Sequence, residues 1–269
     1  MVELRNLSFG YSADKQIFEN LNCRFLNGKI HIIAGRSGAG KTTLLDLIFG
    51  FLKPAAGSVY FDRKPVSGIL SGHAAYLVSD PERYFFEPYV IDEVAFSLKF
   101  AGLKKEDARK KAAEVLSVLG IDENLFWRSP IHLSKGQKRK IAIASALVLE
   151  KELLLLDEPL AGLDRSGRLM VADLLRKVVG AGHTVILTAH TFDELLELRP
   201  EVYIIFNRKL FPAELGLPHK SVALFHEAGL LPPEKLLLAA ELGKKGIHIS
   251  VFQSDAEFVK KAAEMMAER

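Results

Sequence analysis

Gly35, Arg36, Ser37, Gly38, Ala39, Gly40, Lys41 and Thr42 fit the pattern G-x-x-x-x-G-K-[ST], a backbone cradle for phosphate. The glycines let successive N–H groups turn inward around anionic oxygens. A helix starting behind them adds the positive end of its dipole. Lys41 is expected to reach the β- and γ-phosphates of a nucleotide, and the Thr42 hydroxyl to bind Mg²⁺. A Gly-rich turn can match by chance, so context decides. An apolar run at 30–34 precedes the turn, and a helix-like run at 43–49 follows it. Strand, turn and helix is the setting this chemistry needs.

A second constellation lies 115 residues beyond Thr42. Leu153, Leu154, Leu155 and Leu156 form an apolar run whose end delivers Asp157 and Glu158, followed by Pro159. A buried strand ending in an acidic turn is common by itself. Paired with a phosphate loop, it suits a hydrolase of Mg·ATP. Asp157 is expected to hold the metal through water, and Glu158 to position and polarise the attacking water.

These residues need a framework. Residues 2–9 and 17–25 alternate as half-buried antiparallel strands do, with a turn at Asn27 and Gly28. Residues 57–62 and 74–78 read as further strands. Residues 91–101, 104–119 and 135–149 read as helices. Strand-like runs at 152–156, 183–189 and 202–206 are separated by helical stretches at 166–179 and 192–198. Alternation of this kind implies a mainly parallel sheet covered on both faces. After residue 212, prolines punctuate shorter segments: helices at 220–229 and 233–243, a strand at 246–251 and a last helix from Ser254 to Arg269. The expected division is a nucleotide-binding domain over 1–212 and a small α+β module over 213–269.

Composition sets broad bounds. Apolar residues make up 49% of the 269 and charged residues 26%, which suits a globular core. A net charge of +3 is too small to argue for nucleic acid. Cys23 is alone, so no intrachain disulfide can form; a reducing compartment fits. No run approaches about 18 uninterrupted apolar residues, so no membrane span is expected. The first residues lack a basic segment followed by an apolar core, so no signal peptide is expected.

The family resemblance rests on a third motif. Leu133, Ser134, Lys135, Gly136 and Gln137 resemble the LSGGQ signature of ATP-binding-cassette (ABC) ATPases. The fold it implies is a P-loop NTPase cassette: a mainly parallel sheet flanked by helices, an antiparallel β subdomain and a helical subdomain. In that family the signature closes over the γ-phosphate of ATP held by a second cassette, so Ser134, Gly136 and Gln137 would serve the partner's nucleotide. Ser134 also reads as a helix N-cap, which uses the same N–H groups. Tyr11 resembles the aromatic that stacks on adenine. Ala161, Gly162, Leu163 and Asp164 resemble the D-loop, and His190 the switch histidine that contacts the γ-phosphate. The resemblance implies nucleotide contacts from residues 35–43, Thr43 included.

Two positions depart from the pattern. Where the family places a glutamine that helps bind Mg²⁺ and couples to the membrane partner, this chain has Ser79. Lys135 replaces the first glycine of the signature pair. With Ser134 and Gly136 retained, the added positive charge can favour phosphate.

Residues 80–98 and the tail at 228–246 resemble the ATPases of energy-coupling-factor (ECF) transporters, which include cobalt and nickel importers. That resemblance implies a head-to-tail pair of cassettes, identical or different, on the cytoplasmic face of the cell membrane. The cassettes would hold an integral coupling subunit, joined to a substrate-binding membrane subunit for vitamins or transition-metal ions. The tail would support dimerisation. Tyr84, Phe85 and Phe86, with Pro88, form a candidate surface for the membrane partner. Two other readings stay open: an ABC ATPase acting on DNA or ribosomes, and a regulatory cassette with a weakened site, which Ser79 would favour.

Overall fold

The structure is a computed structural model that describes residues 1–12 and 14–267. Its centre is a six-stranded sheet made of β3 (Ile30–Gly35), β6 (Ala74–Leu77), β7 (Leu153–Leu156), β8 (Thr184–Thr188), β9 (Glu201–Phe206) and β10 (Lys209–Ala213). Their order across the sheet is β10-β9-β3-β8-β7-β6. The first five are mutually parallel, as the alternation of strands and helices predicts, and β10 is antiparallel to β9. β3, β7 and β8 are buried at every position. A parallel strand covered on both faces has no solvent side, which is why these segments read as unbroken apolar runs.

A second, antiparallel sheet has the order β2-β1-β4-β5, formed by β1 (Val2–Gly10), β2 (Gln16–Phe25), β4 (Ala56–Phe61) and β5 (Lys64–Pro65). Helix α1 (Lys41–Phe49) lies between the two sheets. Leu44, Leu45 and Ile48 share one core with Leu4 and Phe18 of the antiparallel sheet and Leu155 and Ile186 of the parallel sheet. The helix behind the phosphate loop is therefore clamped from both sides.

The other face of the parallel sheet carries α2 (Val90–Phe100), α3 (Lys105–Val118), α4 (Lys135–Leu147) and α5 (Arg165–Gly180). In the helical pair α2–α3, Arg109 donates to Asp92 at 2.9 and 2.6 Å and stacks over Trp127. Hydrogen bonds from Arg109 hold the buried Asp92 carboxyl below its ordinary range. Because the folded carboxylate binds its proton more weakly than the unfolded one, its contribution is full above the ordinary value of 3.8 and fades as pH falls through the lowered value. Arg109→Ala is expected to cost roughly 1–3 kcal/mol at neutral pH, read by denaturant unfolding. The cost should shrink below that range of pH.

Helices α6 (Pro218–Glu227), α7 (Glu234–Lys244) and α8 (Asp255–Ala267) follow β10. Phe225, Leu236 and Phe258 join the same core as Leu187 and Phe192. One expectation is corrected. Residues 246–251 do not form a strand: Ile247, Ile249 and Val251 turn inward with exposed residues between them, but the segment pairs with no ladder. Burial alternates as in a strand, which is the signal the sequence shows, yet the tail is helical rather than α+β. Pro212, where the composition changes, sits within β10 opposite Tyr203, on an edge strand where its missing N–H is tolerated. Within the helical stretch expected at 192–198, residues 193–198 form a 3-10 segment. Of the last predicted helix, residues 268–269 lie outside the described residues.

Candidate functional site

β3, β7 and β8 are parallel neighbours, so their C-terminal ends lie side by side. That edge receives the phosphate loop from β3, Asp157 and Glu158 from β7, and His190 just beyond β8. Ligands gather at such carboxyl ends in open α/β sheets.

The loop delivers Lys41 and Thr42 at the first turn of α1. Gly40 is the N-cap at φ 102°, and no side chain caps this helix. The first-turn N–H groups therefore keep their donor capacity for an anion. A Cβ added at Gly38, also left-handed at φ +79°, would meet nothing within 4 Å. Arg36 and Ser37 are exposed on the loop, Ala39 and Gly40 are half-buried, and Gly35 is buried at the end of β3.

Lys41 Nζ donates to the carbonyls of Gly35 at 3.0 Å and Arg36 at 3.4 Å. It also lies 3.4 Å from His190 Nε2 and 3.8 Å from Glu158 Oε1. Burial pushes its ammonium below the ordinary range, against the pull of the Glu158 and Asp157 charges. The Thr42 hydroxyl donates to Asp157 Oδ2 at 2.6 Å. Thr188 donates to Asp157 Oδ1 at 2.5 Å and accepts from the Glu158 N–H at 2.8 Å. Glu158 itself sits at φ 51°, a conformation that non-glycine residues seldom adopt. Its carboxylate reaches His190 Nε2 at 2.9 Å.

The structure thus brings Lys41, Thr42, Asp157, Glu158 and His190 into one hydrogen-bonded group. Tyr11 joins its margin: the ring is largely exposed, and its hydroxyl lies 2.9 Å from Thr43 Oγ1. This donor set fits Mg·ATP. A lysine, a helix terminus without a side-chain cap and a hydroxyl–carboxylate pair are the groups that phosphate and a hard oxygen-seeking cation require.

Ser134, Gly136 and Gln137 stand apart. Ser134 caps α4 in a reciprocal box: its hydroxyl accepts from the Gln137 N–H at 3.3 Å, and Gln137 Oε1 accepts from the Ser134 N–H at 3.0 Å. Among the described residues no hydrogen bond or ion pair joins them to the phosphate loop. The stem of Lys135 lies along Gly162, where an added Cβ would come 3.3 Å from Lys135 Cε. Ser79 follows β6, and its carbonyl accepts from Arg139 Nη2 at 2.9 Å.

Two residues close to this arrangement are invisible to motif reading. Thr188, which ties Asp157 to Glu158, ends β8, where only 185–187 are apolar; its hydroxyl two positions before His190 is a weak clue. Arg139 is the middle of three consecutive cations, 138–140, and nothing in the sequence marks it as the buried one.

The sequence model of the ABC transporter family matches residues 18–161. The energy-coupling factor transporter ATP-binding protein EcfA2 of Streptococcus pyogenes serotype M28 is 31% identical, over 96% of this chain and 97% of that protein. A relative from Methanosarcina acetivorans, provisionally named an ABC transporter ATP-binding protein, is 35% identical over 92% of this chain. This chain spans 41% of that longer protein. Among solved structures, cbiO1 of Clostridium perfringens, part of the ABC transporter complex cbiONQ, superposes with a TM-score of 0.68 at 30% identity. The superposition covers 78% of this chain and 86% of cbiO1. A dimeric ATP-binding cassette bound to ADP and Pi in a post-hydrolysis state gives 0.70 at 25% identity, over 78% and 96%.

Proposed function

This chain belongs to the ABC transporter family of ATP-binding proteins, and on that premise we propose that it hydrolyses ATP to energise an ECF-type membrane importer. The observation that carries this is the meeting of Lys41, Thr42, Asp157, Glu158 and His190 at one sheet edge. Residues 35–43 bind the phosphates, with adenine against Tyr11. Thr42, Asp157 through water, and Ser79 would hold Mg²⁺, which would draw charge from the phosphate oxygens. Glu158 orients the attacking water while His190 reads the γ-phosphate. Positioning and charge stabilisation supply most of the rate in such phosphoryl transfer.

Within one chain, Ser134–Gln137 does not meet the loop. We read the site as one half of a composite, closed by the signature of a second cassette, identical or different, packed head to tail. Residues 213–269 would support that pairing. No helix of the described residues is long and apolar enough to cross a membrane, so contact with the bilayer would run through integral partners at its cytoplasmic face. A groove of about 460 Å³ lined by Phe51, Tyr76, Pro81, Tyr84 and Phe85 lies beside the exposed Phe86. It suits an apolar segment of the coupling subunit. The transported substrate would be a vitamin or a transition-metal ion, bound by another subunit.

Copurification from membranes tests the reading. A tag on this chain is expected to recover a second cassette and an integral subunit, with ATPase activity in the complex. Tyr84→Ser with Phe86→Ser should lower recovery of the integral subunit and leave ATP binding in place. Recovery of ribosomes or DNA instead would overturn the transport assignment.

A further inference from the structure

We propose that Arg139 is a positioning residue for hydrolysis, fastening the main chain at Ser79 to the main chain at Ala161. Its guanidinium is almost fully buried, and it donates to the Ser79 carbonyl at 2.9 Å and, from Nε, to the Ala161 carbonyl at 3.3 Å. Arg139 belongs to α4, so a single side chain joins the signature helix to both loops.

The places it joins flank the reactive group. Leu77 pairs with Leu156 across β6 and β7, and the Asp157 N–H donates to the Leu77 carbonyl at 2.8 Å. Ser79 is two residues past Leu77 as Glu158 is two residues past Leu156, so both loops leave the sheet at the same level. On the other side, the Ala161 N–H closes a turn onto the Glu158 carbonyl at 3.0 Å. The guanidinium thus spans the two segments between which Glu158 must act. A planar fork can satisfy two carbonyls at once, whereas an ammonium is a single point of attachment. The attachment at 79 is to the backbone, so it holds whatever side chain stands there. The loop at this position is fixed without a glutamine.

The inference rests on the reading of Glu158 as the residue that orients water. The test uses the complex recovered from membranes through a tag on this chain, carrying Arg139→Lys. Turnover is expected to fall roughly tenfold to a hundredfold, as small misplacements of reacting groups do. ATP affinity should stay close to the parent's, and half-saturating Mg²⁺ should rise. Without nucleotide, amide hydrogen exchange should quicken together in the segments after Ser79 and after Glu158. Should the lysine variant fail to fold, Arg139→Gln, which keeps N–H donors, is measured the same way. Parent-like turnover, unchanged exchange in either segment, or a loss of ATP binding in step with turnover overturns the inference. Glu158→Gln in the same assay separates the two ideas. If it retains turnover, the reading of the site fails. If it loses turnover while the Arg139 variant does not, only the role of Arg139 fails.

Discussion

Glu158→Gln is expected to lower ATP turnover by roughly 10²–10⁴-fold, the range lost with a positioned proton acceptor, while ATP still binds. The substitution keeps size and shape. Both residues carry a Cβ, so the left-handed backbone at φ 51° costs the same before and after. The amide oxygen can still accept from His190, now 2.9 Å from the carboxylate, and Thr188 still accepts the residue's N–H. What disappears is the negative charge and the ability to take a proton. Lys41, 3.8 Å away, loses a neighbouring anion and turns more fully toward phosphate. Binding is therefore preserved or strengthened as turnover stops, and ATP-bound cassettes should accumulate as dimers. Phosphate release and light scattering with Mg·ATP measure both. Unchanged turnover would remove Glu158 from the mechanism and with it the present account of the site. A parent protein already without turnover in the complex would favour the regulatory reading that Ser79 raises.

The chemistry was legible in the sequence wherever it depends on spacing along one segment. The phosphate loop is contiguous, and a strand feeding a glycine turn and a helix can be placed without coordinates. Asp157 and Glu158 are equally visible because an apolar run of four leucines ends in two acids. His190 needed a family resemblance, since a single histidine after a strand signals little. Thr188 and Arg139 needed coordinates, because their roles come from what lies across the sheet or in another loop. The tail shows the opposite failure. Ile247, Ile249 and Val251 alternate as a strand would, but alternation records only which side is buried. A strand also requires a partner ladder, and no neighbouring strand offers one there. β10 was not among the expected strands; it lies at the sheet edge, where Pro212 costs no ladder bond.

Two glycines of the loop should respond differently to the same methyl group. Both are left-handed, Gly38 at φ +79° and Gly40 at φ +102°, so alanine carries a backbone cost of about 1–2 kcal/mol at either. Their surroundings differ. At Gly40 a Cβ would fall 2.6 Å from Ile17 Cγ2 and 2.8 Å from Phe18 Cζ. Phe18 is fully buried between the sheets and cannot swing away. Overpacking adds about 1–3 kcal/mol, so Gly40→Ala should lower the melting temperature by several degrees. Because Gly40 caps α1, the strain also shifts Lys41 and Thr42, and ATP binding should fall at least tenfold, about 1.4 kcal/mol. At Gly38 the methyl group meets no protein atom within 4 Å. Stability should fall only by the backbone cost, yet ATP binding should weaken as strongly, because the methyl group occupies the space through which phosphate approaches the loop. Thermal unfolding and nucleotide titration of the two variants therefore separate the roles. A Gly38→Ala protein that binds ATP like the parent would mean that phosphate does not approach the loop there.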